Sequence, residues 1–257
     1  TDGDGHPSEF LNGLMARKVP ALAFTDHGNM YGAMEFYFTA SSIGIRPIIG
    51  CEVYVAKGSR LDKDKEKNTR RDNGHLTILA KDQAGYQNLI KLVSKSFIEG
   101  FYHDPRIDME ILAQHHEGLV VLSGCLKSHL ARACALGDID GAVKIAAQYS
   151  DIMGKGNFFL ELMDHGIPEE TAALKGLLEV AKRTGLPLVA TNDCHYQRKE
   201  DWEAHDVHIC ISTGSLLSDP DRMKMTTQEL YFKSPEELKQ LFSHTPQAGT
   251  NPISLAE

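Results

Sequence analysis

The sequence predicts an α/β fold in which strands alternate with crossover helices, and three observations carry that prediction. Short apolar and β-branched runs recur between stretches of helical periodicity. Glycines and capping residues sit at the ends of those stretches. Histidines, cysteines and carboxylates recur where the apolar runs stop. The first two observations describe a parallel sheet with its helices, arranged as a barrel or a doubly wound sheet. The third bears on chemistry.

In chain order, a helix over Ser8–Arg17, opened by Pro7 or Ser8, precedes a strand at Ala21–Phe24. A helix over Tyr31–Ser42, closed by Gly44, leads to a strand at Arg46–Val55. The next pairs are strand His75–Ala80 with helix Ala84–Phe101, and strand Gly118–Leu122 with helix Ile139–Met153. Strand Phe158–Leu162 is followed by a helix over Pro168–Thr184 that Gly185 can end, and then by strand Leu186–Ala190. Ser234-Pro235-Glu236-Glu237 has the form of an N-cap with proline in the first turn. Turn residues and a new apolar start from Thr245 to Glu257 give the tail the look of a cut end.

Composition narrows the function classes. With 257 residues, 42% of them hydrophobic, the chain can fill a substantial core without staples. Lys+Arg 27 against Asp+Glu 35 leaves a net charge of −8, which argues against a general nucleic-acid coat protein but leaves room for a local phosphate site. One stretch is basic: Lys57–Gly74 has seven basic and four acidic residues, reads as a mobile surface loop, and is where contact with a polyanion away from a metal would begin. Five cysteines (Cys51, Cys125, Cys134, Cys194, Cys210) form an odd set without a CxxC pair, and no secretory leader opens the chain, so a reduced, cytoplasmic setting is expected. No apolar run approaches the ~20 residues that span a bilayer, so no membrane partner is expected.

Twelve histidines are many for such a chain, and several are placed at strand ends. Phe24 is followed by Thr25-Asp26-His27-Gly28, the second strand carries Cys51-Glu52, and Gly74 leads into His75-Leu76-Thr77. Leu122 is followed by Ser123-Gly124-Cys125, and Ala190 by Thr191-Asn192-Asp193-Cys194-His195. In a parallel barrel the carboxyl ends of the strands share one face, so these residues converge. Imidazole, thiolate and carboxylate are the ligands of Zn²⁺ and similar ions. Buried without partners they would be strongly unfavourable, and a bound cation satisfies them together, as in a multinuclear metal site. Asp26 is assigned to helix capping, and His115, His116, His129 and His244 to the surface.

Eight segments in order extend the argument: TDHGNMYGAMEFY from Thr25, IIGCEVYV from Ile48, HLTILAK from His75, GFYHDPRID from Gly100, LSGCL from Leu122, LELMDHG from Leu160, ATNDCHY from Ala190 and AHDVHICISTG from Ala204. Together they resemble the polymerase-and-histidinol-phosphatase (PHP) domain, in the form found at the N-terminus of bacterial replicative DNA polymerase III alpha subunits. The resemblance implies a distorted (β/α)7 barrel holding up to three divalent metal ions, Zn²⁺ or Mn²⁺ foremost and Mg²⁺ or Fe as alternatives. By matched position, Asp2, His27 and His195 resemble the ligands of one metal. Glu52, His75 and Cys125 resemble those of a second, with Glu52 bridging toward a third that Asp193 also holds. Glu52, Asp193 and His195 take the catalytic roles, and Arg106 a substrate-phosphate contact, against the competing role of orienting its loop.

The family's first strand ends in a His-x-His pair, whereas this chain opens at Thr1-Asp2-Gly3, where that strand has already ended. The first strand is therefore expected to be missing by truncation, and the fragment to bind fewer ions. The implied activity is phosphodiester hydrolysis as a 3′–5′ exonuclease on a DNA 3′ end, in residues 1–245, with 246–257 starting the polymerase region. The implied partners are DNA, the rest of the alpha subunit and a proofreading exonuclease subunit. The alternatives are a non-catalytic replicase module that docks such an exonuclease, and a small-molecule phosphatase of the histidinol phosphate type. His165 and the pair His205 and Asp206 are given structural roles.

Overall fold

The computed structural model describes residues 19–64, 69 and 72–256. Asp2 and the helix expected over Ser8–Arg17 lie outside them. Among the described residues, six strands run side by side in the order β1 (Ala21–Phe24), β2 (Arg46–Val55), β3 (Gly74–Ala80), β5 (Leu119–Leu122), β6 (Phe158–Leu162) and β7 (Leu188–Ala190). A short β4 (Arg106–Ile107) pairs with β2. The helices are α1 (Ala33–Ser42), α2 (Gln83–Ile98), α3 (Met109–Gln114), α4 (His129–Ala135), α5 (Ile139–Met153), α6 (Pro168–Thr184), α7 (Trp202–Thr213), α8 (Pro235–Leu241) and α9 (Pro246–Ala256).

Local chemistry explains the boundaries. Asp82, Asp108, Ser128 and Asp138 each accept a hydrogen bond from a backbone N–H of the first turn of α2, α3, α4 and α5, satisfying donors that the helix leaves open. Ser234 and Glu237 form a reciprocal capping box at α8. Gly185 ends α6 in the left-handed conformation expected of a glycine cap. β2, β6, α5 and α6 have the ends that the periodicity predicts.

The sheet is not wholly parallel, which corrects the sequence reading. β3 runs antiparallel to both β2 and β5, while β1–β2, β5–β6 and β6–β7 are parallel. The described part of the β2–β3 connection contains no helix, so it lacks the crossover that a parallel pair requires. The strand path also curls. β1 and β7 are its two ends, yet the rings of His27 and His195, just beyond them, lie 5.9 Å apart.

β5 shows how the layers divide. Leu119 and Val121 face the helix layer, packing with Leu89 and Leu92 of α2, Ile111 of α3 and Ala146 of α5. Val120 and Leu122 face the inside of the curl with Leu79 and Val189. All four are buried, as expected for a strand covered on both faces; at about 1.5–3 kcal/mol per fully buried aliphatic side chain, such layers dominate the favourable side of folding. Ala248 of α9 joins the helix-side cluster, and Asn251 donates to the Leu188 carbonyl of β7.

Arg106 is a second correction. The resemblance offers it a substrate phosphate, but its side chain is 0% exposed. Nε donates to the Gly100 carbonyl at 3.0 Å, and Nη2 to the Arg60 and Asp62 carbonyls at 3.0 and 2.9 Å. Arg60 is itself buried, with Nη1 on Asp108 at 3.1 Å and Nη2 on Glu99 at 2.6 Å. The described start of the basic segment is thus tied down by two arginines, and the loop-orienting role of Arg106 holds, through carbonyls rather than an ion pair. A lysine has no fork to span three carbonyls. Arg106→Lys should lower stability by about 2–4 kcal/mol in denaturant titration, because buried acceptors lose their donor, and should expose residues 57–64 to proteolysis. A phosphate-contacting arginine would leave stability unchanged.

Candidate metal centre

The site is assembled by strand pairing. β1 continues beyond Phe24 as an isolated bridge in which His27 pairs with Glu52 in parallel, Gly28 N–H donating to the Glu52 carbonyl at 2.8 Å and Glu52 N–H to the Asp26 carbonyl at 3.0 Å. The two side chains therefore stand side by side. On β2, Glu52 and Tyr54 share one face, and their antiparallel partners on β3 are Thr77 and His75. His75 thus lies diagonal to Glu52, braced edge-on by the Tyr54 ring at 5.1 Å. Because β3 runs backwards, its start, not its end, reaches the rim where the other strands finish.

Glu52 is the hub. Its Oε2 lies 3.2 Å from His27 Nδ1, and its Oε1 contacts His75 Nδ1. The ligand atoms of His27, Glu52 and His75 all fall within 4.8 Å of one another. Cys125 Sγ joins them, 3.6 Å from His75 Nδ1 and 3.8 Å from Glu52 Oε1. Gly124 makes that approach possible: at φ +84° a side chain is disfavoured, and a Cβ there would stand 2.4 Å from the His75 carbonyl.

His195 follows on the other side of His27, its Nδ1 2.8 Å from the Asp193 backbone oxygen and 3.9 Å from Asp193 Oδ1. The structure therefore gathers the expected His27, Glu52, His75 and Cys125 tightly, with Asp193 and His195 adjoining. Asp2 lies outside the described residues.

The electrostatics suit a cation. Burial raises the pKa of Glu52, but hydrogen bonds and positive charge from His27 and His75 outweigh it and hold the carboxyl well below the usual range. Burial, reinforced by Glu52, drives the Cys125 thiol far upward. Burial also raises Asp193, with Glu52 adding to the effect against His195. Two imidazoles, a carboxylate and a thiol converging form a borderline-soft N/O/S donor set, and such a set fits Zn²⁺ and comparable divalent ions.

The residues around the centre were not all foreseen. Glu161 sits on β6 in an otherwise apolar run, 3% exposed. Its carboxyl accepts from the Gly124 N–H at 2.9 Å, Thr77 Oγ1 at 3.2 Å and Thr191 Oγ1 at 2.7 Å, so it ties the Cys125 loop to the Asp193 loop. A lone glutamate inside FFLEL was the available signal. His165 is a clamp: Nδ1 pairs with Glu170 at 2.8 Å and Nε2 with the Asn192 carbonyl at 2.8 Å. That bond fixes the peptide just before Asp193, whose φ of +44° is strained for a non-glycine residue. His205 is buried with its ring 5.3 Å from that of His195, whereas Asp206 turns away to a two-pronged pair with Arg222. The structural roles expected of His165, His205 and Asp206 agree with these contacts.

A model of the PHP domain matches residues 1–165. The chain belongs to the PHP domain family. Over 92% of this PHP chain and 20% of its relative, it is 47% identical to the DNA polymerase III subunit alpha of Treponema pallidum (strain Nichols). It is 46% identical to that of Thermus aquaticus over 86% of the chain and 18% of the relative, and 39% identical to that of Borreliella burgdorferi over 100% and 22%. This PHP chain therefore spans about a fifth of the length of the curated relatives it matches. Among the described residues no helix is long and apolar enough to cross a membrane.

In wild-type protein Zn²⁺ or Mn²⁺ should raise the melting temperature and chelation lower it, since an ion that binds only the folded state stabilises it. Glu52→Gln should weaken the metal affinity, read by chelator competition, by more than the ~10–100-fold typical of a lost supporting group. Burial raises the pKa of Glu161 to about 7, Asp193 and Glu52 adding to the effect. A carboxyl with a raised folded pKa contributes stability that is complete below its unfolded value of 4.5 and is lost as pH climbs to about 7. Metal-free protein should lose on the order of 3 kcal/mol over that window, and Glu161→Gln should remove that part of the pH dependence in urea titrations.

Proposed function

We propose that this PHP domain hydrolyses phosphodiesters at a DNA 3′ end, as a metal-dependent 3′–5′ exonuclease within a replicative DNA polymerase III alpha subunit. The observation that carries the reading is the convergence of His27, Glu52, His75 and Cys125 from three strands and a loop onto one rim, with Asp193 and His195 beside them. That the relatives are DNA polymerase subunits supplies the substrate class.

In this reading His27, Glu52, His75 and Cys125 hold divalent ions with Asp2, Asp193 and His195, up to three in the family's complete site and fewer in this fragment, Zn²⁺ or Mn²⁺ foremost. A bound cation supplies Lewis-acid charge and brings the pKa of a water toward neutrality. Glu52 links two imidazoles and so fixes the spacing of the donor set. His195, braced by the Asp193 backbone and the His205 ring, orients the far side, and the strained Asp193 carboxyl is aimed by the His165 clamp. The PHP domain occupies residues 1–245, and 246–257 start the polymerase region, with α9 seated on β7 at the join. DNA, the remainder of the alpha subunit and a separate proofreading exonuclease are the partners, in the cytoplasm.

The test is incubation of the full-length protein that carries this domain with 3′-labelled single-stranded DNA and Zn²⁺ or Mn²⁺. Stepwise release of mononucleotides from the 3′ end is expected, abolished by chelator and reduced at least ~10²-fold by Glu52→Gln, the scale of losing a principal charge-stabilising group. Metal-dependent stability without nuclease activity under any of these conditions would overturn the enzymatic reading in favour of a docking module.

A further inference from the structure

One ring beyond His195, on the other side of His205, a cavity of about 620 Å³ opens between α7 and residues 222–229. Its α7 wall is the face carrying Trp202, His205, Asp206 and Ile209, spaced as neighbours on one side of a helix. Tyr196 and His205 are both in its lining, with their rings 5.2 Å apart, and the His205 ring also stands 5.3 Å from that of His195, so the cavity shares a wall with the metal centre. The volume lies within the ~300–1,000 Å³ of small-ligand sites.

We infer that this cavity binds one nucleoside monophosphate unit, free or as part of a DNA strand. Two features select that chemistry. Trp202, half-buried in the wall, offers a flat aromatic surface, and a stacked base is sequence-tolerant and worth ~1–3 kcal/mol by truncation data. Of the three cations on the wall, Arg222 is held by Asp206 and Lys199 by Glu229, which leaves Lys224 exposed and outside any ion pair among the described residues. One uncommitted ammonium matches one phosphate. It does not match a triphosphate, which would face Asp206 and Glu229 as well.

The inference deepens the phosphodiesterase reading by naming a unit the size of its product, yet its test needs no turnover. Trp202 is the single tryptophan of the chain, so its fluorescence reports on the cavity. The protein in chelator is titrated with dTMP, dTTP, thymidine, inorganic phosphate and a short oligo-dT, and calorimetry supplies affinities for the variants. Saturable quenching by dTMP or by oligo-dT is expected, with dTTP, thymidine and phosphate at least ~10-fold weaker. The dTMP and oligo-dT arms separate a free nucleotide from a strand.

Lys224→Ala should weaken binding about tenfold, the loss of one charge-assisted hydrogen bond. Trp202→Ala should do likewise while Trp202→Phe retains most of it. No saturable response to either dTMP or oligo-dT, or wild-type affinity in both Lys224→Ala and Trp202→Ala, would overturn the inference. Failure of DNA hydrolysis with dTMP binding intact would overturn the enzymatic reading alone.

Discussion

The contact on which this molecule turns is the Glu52 carboxylate held between the imidazoles of His27 and His75. It joins residues 48 positions apart across three strands. Burial pushes the neighbouring Cys125 thiol and Asp193 toward their neutral forms, and the Glu52 carboxylate, kept charged by two imidazoles, adds to the effect. A divalent cation bound here would compete with protons for the same lone pairs.

That contact exists only because of strand direction. In the parallel pair β1–β2, the bridge at His27 and Glu52 lies beyond the regular ladder, where side chains reach the rim instead of the core. β3 delivers His75 from its first turn of strand because it runs the opposite way, and β5, reversed again, delivers Cys125 from its end. A slip of one residue in the β2–β3 register would send His75 to the other face and dissolve the cluster. Behind it, Glu161 binds both the Gly124 amide and Thr191, so the two halves of the rim are fastened through one buried carboxyl.

Much of this was legible in the sequence, and what was not has identifiable causes. The apolar runs of β2 and β6 and the capped helices α5 and α6 declare themselves because local pattern and tertiary role agree. His27, Glu52, Cys125 and Asp193 were visible as polar residues interrupting apolar strand ends. The reversal of β3 was hidden because periodicity records which face a residue takes and nothing about direction. Arg106 was misassigned because a guanidinium fork satisfies carbonyl oxygens as well as phosphate oxygens, and only burial distinguishes them. Glu161 passed unnoticed because one acid among apolar neighbours carries no spacing with which to associate it.

Electrostatics decides how an acidic chain could engage a phosphodiester at all. At the rim the Glu52 charge is balanced by His27 and His75, and burial pushes Asp193 and Glu161 toward their neutral forms, so on a chain of net charge −8 the bare centre supplies no surplus positive charge for a phosphate. Among the described residues, Arg106 and Arg60 are committed to holding a loop, and Arg222 to Asp206. In the proposed reading, attraction at the rim would come from divalent cations on the histidines, carboxylates and thiol, and phosphate binding there should rise and fall with metal occupancy. The cavity on the other side of His205 differs in kind. Lys224 supplies its charge from the protein itself, so a nucleotide could lodge there independently of the metal, one ring away from the centre.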